Sequence, residues 1–552
     1  MLSLRKLKLE FNGWAVLSLL IILLIILPNI NILSNVFKEA NDNWVHIKTY
    51  LLEEYVINTL VILLFTGAFS LIIGTSLAWL VSVYDFPLRG FFRWTLILPL
   101  AIPPYIAAYT YTGLINYTGV IQTFLRNFFD LKINQKYANI MTIEGSIFIF
   151  TMFLFPYVYT ITRAFIEKQS ASLIETSRVL GRKPLEIFWV VVLPISRAAI
   201  IGSTTLVLLE VLNDYGVVQY FNIPTFSTAI FRTWFAFGDV NTAIKLAGLL
   251  MIVVVSILFL EHLLRGRKKF AYTTTKVRPI KRIKLKGLKA ALAFGYSFSV
   301  LSIGFLIPTL QLLYWAFLTY KKIFNSKFLI LMLNSISLAL ISSIIIIMLA
   351  LIVANYTRIS KSILGRICAK LTILGYSIPG AVIAIGVVVM FIALDSQLLW
   401  LYRLFNTDSK LVLSTSIAML CAAYIIRYLG IGFNSVETGF EKVGKTFFEA
   451  SRTLGMTITE TFFKVDIKMI GPAILSGFIL VFVDIMKELP LTLILRPFNF
   501  HTLATQAYKY ASDENIYEAA IPSLIIILIS FTSILIFHRL VDKEGEDNGH
   551  RN

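Results

Sequence analysis

Long apolar runs separated by short polar stretches make up nearly the whole chain. Each run is about as long as the 20 residues a helix needs to cross a hydrocarbon core of roughly 30 Å. The pattern predicts twelve membrane-spanning helices. They fall at 14–33, 56–83, 92–115, 143–165, 195–218 and 242–264, and then at 291–317, 333–356, 369–394, 411–430, 472–495 and 519–538. The first run follows a basic start, as in a signal peptide. It is longer than a signal core and has no small-residue cleavage pattern after it, so it reads as a retained span. Runs such as 56–83 exceed one crossing and should tilt or protrude.

The polar stretches carry a repeat. Residues 175–181 read ETSRVLG, and residues 449–455, 274 positions on, read EASRTLG. Around them the same spacing returns. Asn58-Thr59 recurs as Asn334-Ser335 and Ile102-Pro103 as Ile378-Pro379, both at 276, while Glu186 and Phe188 recur as Glu460 and Phe462 at 274. Both halves cross in the same order, so the repeat is parallel. Its pseudo-two-fold axis should lie along the membrane normal, with a pathway between the halves. Pro103 and Pro379 should kink or break their helices, either to line that pathway or as packing kinks. Asn58 and Asn334 read as helix caps or interhelical hydrogen-bonders.

Composition agrees: 57% of the 552 residues are hydrophobic and 15% charged, too few charges to coat a water-soluble fold of this size. The formal net charge of +19 does not point to nucleic acid, because the basic residues cluster between apolar runs. Eleven of them, with no acid, fall within 265–289. The positive-inside rule puts that linker in the cytoplasm, and with it both termini and both repeated segments. Lys321, Lys322 and Lys327 then fall outside, a mild exception. Two cysteines and five scattered histidines give neither a disulfide framework nor a metal-ligand spacing. No phosphate-loop signature G-x4-GK[ST] occurs, so ATP hydrolysis by this chain is not expected.

The repeated segment is amphipathic and ends in a glycine able to take positive φ, Gly181 or Gly455. In the first half it continues as E-x-S-x3-G-x9-V-x-L-P, ending at Pro194. This pattern resembles the cytoplasmic "EAA" loop of permease subunits of bacterial ABC importers. In the second half Lys468 stands in place of the proline, so that copy is degenerate at its end. The stretch KELPLTLILRPFNFHTLA at 487–504, with LLEVLNDYGVVQYF at 208–221, is similar to the fused permeases of binding-protein-dependent ferric iron uptake.

The resemblance implies an all-α, type I ABC importer permease fold in a bacterial inner membrane. It divides the chain into a first half (1–265, coupling loop near 167–193), a linker (266–290), a second half (291–540, coupling loop near 437–470) and a tail (541–552). Glu175, Ser177, Arg178, Gly181 and Pro194, and Glu449, Ser451, Arg452 and Gly455, would couple to a cytoplasmic ABC ATPase dimer. The further partners implied are a periplasmic solute-binding protein and the lipid bilayer. No cofactor is expected on this chain; ATP would sit on the partner subunit.

Four acids stand out in spans five and eleven. Glu210 lies about 24 Å along the helix beyond Pro194. Asp214 would follow at i+4 on the same face, and Asp484 and Glu488 take the equivalent places. Three roles stay open for them: lining a route for a hard cation, pairing structurally with Lys487 or Arg496, or touching the binding protein. No stable metal site is expected. Related permeases for thiamine, aminophosphonates or polyamines remain alternatives for the cargo. An ion-gradient-driven transporter and a non-transporting scaffold are alternatives of other classes.

Overall fold

The computed structural model describes residues 13–36, 39, 41–131, 134, 138–168, 171–265, 281–360, 362–404 and 410–550. The basic N-terminal residues and the 266–280 part of the linker lie outside them. Each of the twelve predicted segments corresponds to a helical unit. Among the described residues, nine helices are long and apolar enough to cross a membrane singly. Two more units are bent pairs, and the last contains the shorter apolar stretch Ala520–Ile536.

Several predicted spans prove to be broken. The third, 92–115, splits into Arg89–Ala101 and Pro104–Phe129, which meet at 92°. Ile102, held extended before a proline, and Pro103 form the break. In the second half the predicted single span 369–394 is two helices, Ile363–Ser377 and Gly380–Leu404, parted at the equivalent Ile378-Pro379. The fifth and eleventh spans were drawn too long. Their helices end at Asn213 and Lys487, and short second helices, Gly216–Tyr220 and Pro490–Leu495, follow. Asp214 and Glu488 therefore sit in extended backbone just past the helix ends (ψ 133° and 124°), not at i+4 within a helix.

Each half then re-enters the bundle through a matched pair of helices, Phe226–Phe235 and Leu503–Ser512. Thr225 with Thr228, and Thr502 with Thr505, form reciprocal caps at their starts. The repeat extends to single bonds. Thr59 Oγ1 accepts from the Phe226 backbone N–H (3.4 Å), and Ser335 Oγ accepts from that of Leu503 (2.7 Å). Asn58 makes an interhelical bond, donating to the Pro224 carbonyl at 2.9 Å.

The halves exchange their first spans. Gly13–Val36 packs on Ser326–Ile359, Ile363–Ser377 and Gly380–Leu404 of the second half. Gly287–Ile323 in turn lies on the first half, where Tyr111 donates to the Ile303 carbonyl and Ser76 bonds Tyr296. This interlocking makes one continuous apolar core across both halves. The outward faces of many spans, for example Leu17, Leu20, Leu23 and Leu27 of the first, are exposed leucines suited to lipid.

Candidate functional site: two matched loops and a polar cavity between the halves

The repeated segments form a pair of helix-turn-helix loops. Helices Ala171–Val179 and Thr446–Thr453 end at glycines with φ of +78° and +87°. A side chain at either glycine would be strained. The closing bonds coincide. Gly181 N–H donates to Arg178 O and Arg182 N–H to Ser177 O; Gly455 N–H donates to Arg452 O and Met456 N–H to Ser451 O. These are the bonds that close a helix through a left-handed residue.

Glu460 explains its own recurrence. It forms a reciprocal cap with Thr457 at the start of the following helix, and Glu186 accepts from the Lys183 N–H at the equivalent place. Ser177 and Ser451 are buried rather than outward, and Ser451 ties its helix to Thr461 at 3.0 Å. The tips present apolar side chains instead: Val179, Leu180 and Leu454 are 87%, 75% and 80% exposed. Glu449 and Arg452 are exposed beside one tip, and Glu175 and Arg178 are half-buried beside the other. Arg178 also donates to the Lys281 carbonyl of the linker at 3.1 Å. The linker is held there by a two-residue parallel strand pairing of Ile283–Lys284 with Tyr84–Asp85.

Beyond both loops the helix contains a π-turn, Phe188–Val192 and Phe462–Asp466. Leu193 N–H reaches back five residues to Phe188 O, and Ile467 N–H to Phe462 O. Pro194 follows the first turn directly, where its missing N–H is accommodated. The second turn forms with Lys468 in that place, so the proline is not what shapes it. The copies diverge four residues later, where Ile470 interrupts the helix and Gly471–Lys487 leaves at 75°. The second copy alone carries a buried ion pair here. Arg358 Nη1 and Nη2 donate to both oxygens of Asp466 at 3.0 and 2.5 Å.

All four predicted acids line one polar cavity between the halves, together with Pro103, Tyr105, Tyr157, Asn213, Tyr376, Arg427, Tyr428 and Lys487. It holds about 80 Å³ of water-sized space. Pro379 shapes its wall indirectly by starting the helix at Gly380. A Cβ on Gly380 would stand 3.0 Å from Glu488 Oε1 and 3.3 Å from Arg427 and Asn213. Leu208, two residues before Glu210, packs at Gly67, near the midpoint of the 32-residue second span. The cavity therefore lies level with the middle of that helix.

Each acid also has a partner. Lys487 Nζ pairs with Asp484 at 2.8 Å. Glu488 Oε2 accepts from Tyr428 at 2.5 Å with Arg427 Nε at 3.4 Å, and its Oε1 accepts from the Leu491 N–H. Asp214 accepts from the Val217 N–H at 2.7 Å, the equivalent cap in the first half. At the cavity, too, bonds cross between the halves: Tyr376 to Glu210 at 2.9 Å, and Gly380 N–H to Asn213 at 2.8 Å. Lining and pairing are thus not exclusive. Arg496 is not among the partners; it bonds Phe500 O and His501. Tyr215 and Tyr220, near the acids in sequence, are not among the lining residues. Two cations against four carboxylates leave the cavity formally acidic.

Sequence reasoning missed Arg427, Tyr428, Tyr376 and Tyr105. At the positions equivalent to Arg427 and Tyr428 the first half has Phe153 and Leu154, so the repeat gave no hint. A lone arginine inside the apolar run 417–433 was the available signal.

A two-half, multi-pass membrane bundle with one interlocked core, paired loops and a polar cavity on the pseudo-axis defines a transport permease. The chain belongs to the binding-protein-dependent transport system inner membrane component family, which matches it twice, at 70–265 and 346–544. It is 28% identical to the Fe(3+)-transport system permease protein FbpB 2 of Haemophilus influenzae, over 88% of this chain and 89% of that one. It is 22% identical to the putative ferric transport system permease protein FbpB 1 of the same organism, over 88% and 78%. The molybdenum transport system permease protein ModB of Escherichia coli matches 36% of this chain at 26% identity, covering 86% of that protein.

Proposed function

We propose that this chain is the permease of an ATP-driven importer that carries ferric ion delivered by a periplasmic binding protein. The observation that carries the coupling role is the matched pair of loops, alike in their closing bonds, with apolar tips exposed. Each tip offers an anchor for a cleft on a cytoplasmic ABC ATPase dimer, flanked by charged residues for the rim. ATP binds and is hydrolysed on those partner subunits. Both termini lie on the same cytoplasmic side, in agreement with the basic linker.

Iron as the cargo is supported by the near full-length likeness to two permeases named for ferric transport. Four carboxylates in the cavity are hard oxygen donors, suited to passing a hard cation. Transport proceeds by alternating access. ATP closure draws the loops together and rocks the halves, breaking the Tyr376–Glu210 and Gly380–Asn213 bonds that cross the cavity. Hydrolysis restores them.

The test is reconstitution in liposomes with the ATPase and the cognate binding protein. Ferric-loaded binding protein should stimulate ATP hydrolysis and drive uptake, while thiamine, aminophosphonate, sulfate and molybdate do not. Stimulation by one of those ligands in place of iron overturns the cargo. Ion-gradient-driven uptake without ATP overturns the class.

A further inference from the structure

Tyr105 is a cavity tyrosine whose chemistry the bonds described above leave unexplained. It is the second residue of the helix that begins at Pro104, and its side chain is 3% exposed. The consecutive prolines fix the backbone that enters this helix. The ring is then clamped. A Cβ on Gly216 would stand 2.5 Å from the Tyr105 Cβ, and Tyr508 meets the ring edge-on at 6.3 Å between centroids. So the phenol cannot swing away to find water elsewhere without unpacking both neighbours.

Its hydroxyl has no hydrogen-bond partner among the described residues. Glu488 and Asp214, the two acids related by the pseudo-two-fold, line the same cavity. Tyr376 bonds Glu210 and Tyr428 bonds Glu488, so those hydroxyls are used to hold acids. Tyr105 holds none. A buried unpaired hydroxyl is a liability that phenylalanine, filling the same space, would remove. The equivalent residue in the second half is Ala381, so the hydroxyl enters the cavity from one side only.

We propose that the Tyr105 hydroxyl is a contact point for the cargo, a hard cation carrying oxygen ligands, and that Tyr105 is a specificity-determining residue of the pathway. This rests on the ferric-importer reading. The phenol oxygen offers a lone pair to the cation or to the protons of its bound water, and the phenol proton bonds an oxygen of the same shell. The carboxylate of Asp214 in the same cavity supplies the charge, and the neutral phenol supplies a directional bond.

The experiment uses the full chain with its ATPase and binding protein in liposomes, comparing the parent with Tyr105→Phe. Ferric uptake and ferric-stimulated ATPase should fall about tenfold in the variant, the factor expected when one hydrogen bond of roughly 1.4 kcal/mol is lost. The thermal midpoint should hold or rise, because no hydrogen bond of that hydroxyl to a described residue is removed. Unchanged uptake by Tyr105→Phe beside an active parent overturns the assignment and leaves the importer reading standing. A lowered thermal midpoint overturns it too, since the hydroxyl would then be structural. A parent that ferric-loaded binding protein does not stimulate overturns the importer reading, and this assignment with it.

Discussion

The Arg358–Asp466 pair sets the position of the second loop relative to its half, and breaking it should have a large, separable effect. The guanidinium grips both carboxylate oxygens, and the side chains are 10% and 2% exposed. It also lies 4.1 Å and 4.9 Å from the ring centres of Phe440, near the end of the preceding helix, and Phe448, on the loop helix itself. Asp466 ends the π-turn that follows the loop, and Arg358 belongs to the eighth span. The pair is therefore a strut between loop and membrane bundle. Asp466→Ala leaves a guanidinium buried against two aromatic rings without its counter-ion, which costs about 3–5 kcal/mol. The double change Arg358→Met with Asp466→Leu removes both charges and keeps the volume, so it should recover most of that loss. A double-mutant cycle on purified protein, read from the unfolding midpoint in detergent, should give a coupling energy of roughly 2–3 kcal/mol. In liposomes the double variant should fold yet show weakened binding-protein-stimulated ATPase, because the strut is gone. If single and double variants all stay within about 0.5 kcal/mol of the parent, the pair is not a strut and the reasoning fails. The corresponding first-half positions hold Ser82 and Val192, so no such pair can form there.

Other consequences follow from the same geometry. Gly455→Val forces a branched side chain into positive φ, at a cost of about 1–2 kcal/mol; it should lower ATPase-subunit affinity in a pull-down without changing membrane insertion, and Gly181→Val should do the same. Leu180→Asp and Leu454→Asp put a charge at the loop tips, and each should reduce stimulated ATPase by tenfold or more in reconstitution if these are anchors. Asp239 lies in the turn before the sixth span. Burial pushes its carboxyl up, but bonds from Thr242, Asn43 and Asn41 outweigh this and hold it below the usual range. The stability it contributes is present above the unfolded pKa and is lost as pH falls through the lower folded value. A pH series of thermal midpoints should show that loss in the parent and a flatter profile in Asp239→Asn, which should itself cost about 1–2 kcal/mol at neutral pH.

Much of this architecture was legible because the chain states it twice. The matching offsets picked out both loops, both proline breaks and all four cavity acids, and each pair occupies equivalent places in the fold. What the repeat could not show is what only one half supplies. Arg427, Tyr428, Tyr376 and Tyr105 face Phe153, Leu154, Leu100 and Ala381 across the pseudo-axis, so comparison of the halves makes them look like divergence. The span ends were misread for a different reason. Residues 214–218 and 488–495 are nearly as apolar as the helices before them, and hydropathy does not register a break in hydrogen bonding. Here the polar residue at the break was the better signal: Asp214 and Glu488 end one helix and cap the next, a task suited to an acid with an exposed N–H three residues on.

The one-sided residues also decide how the pathway differs from a symmetric acidic ring. Four carboxylates related in pairs would repel one another inside an apolar helix bundle, where desolvated charge is expensive. The first-half acids are held by hydrogen bonds: Tyr376, reaching across from the second half, to Glu210, and the Val217 N–H to Asp214. The second half adds cations, Lys487 to Asp484 and Arg427 to Glu488. One wall is thus neutralised by ion pairs and the other is not. Glu210 and Asp214 have no ion pair among the described residues, and Tyr105 stands on that same half. The asymmetry continues at the loops, where the second is strutted by Arg358–Asp466 and the first is tied instead to the linker through Arg178. A single fused chain can hold these differences in a fixed arrangement, which two identical subunits cannot. The two halves therefore share one scaffold but not its charge pairing: the second holds the ion pairs of the cavity acids and the pair at its loop, and the first holds the two acids without one among the described residues.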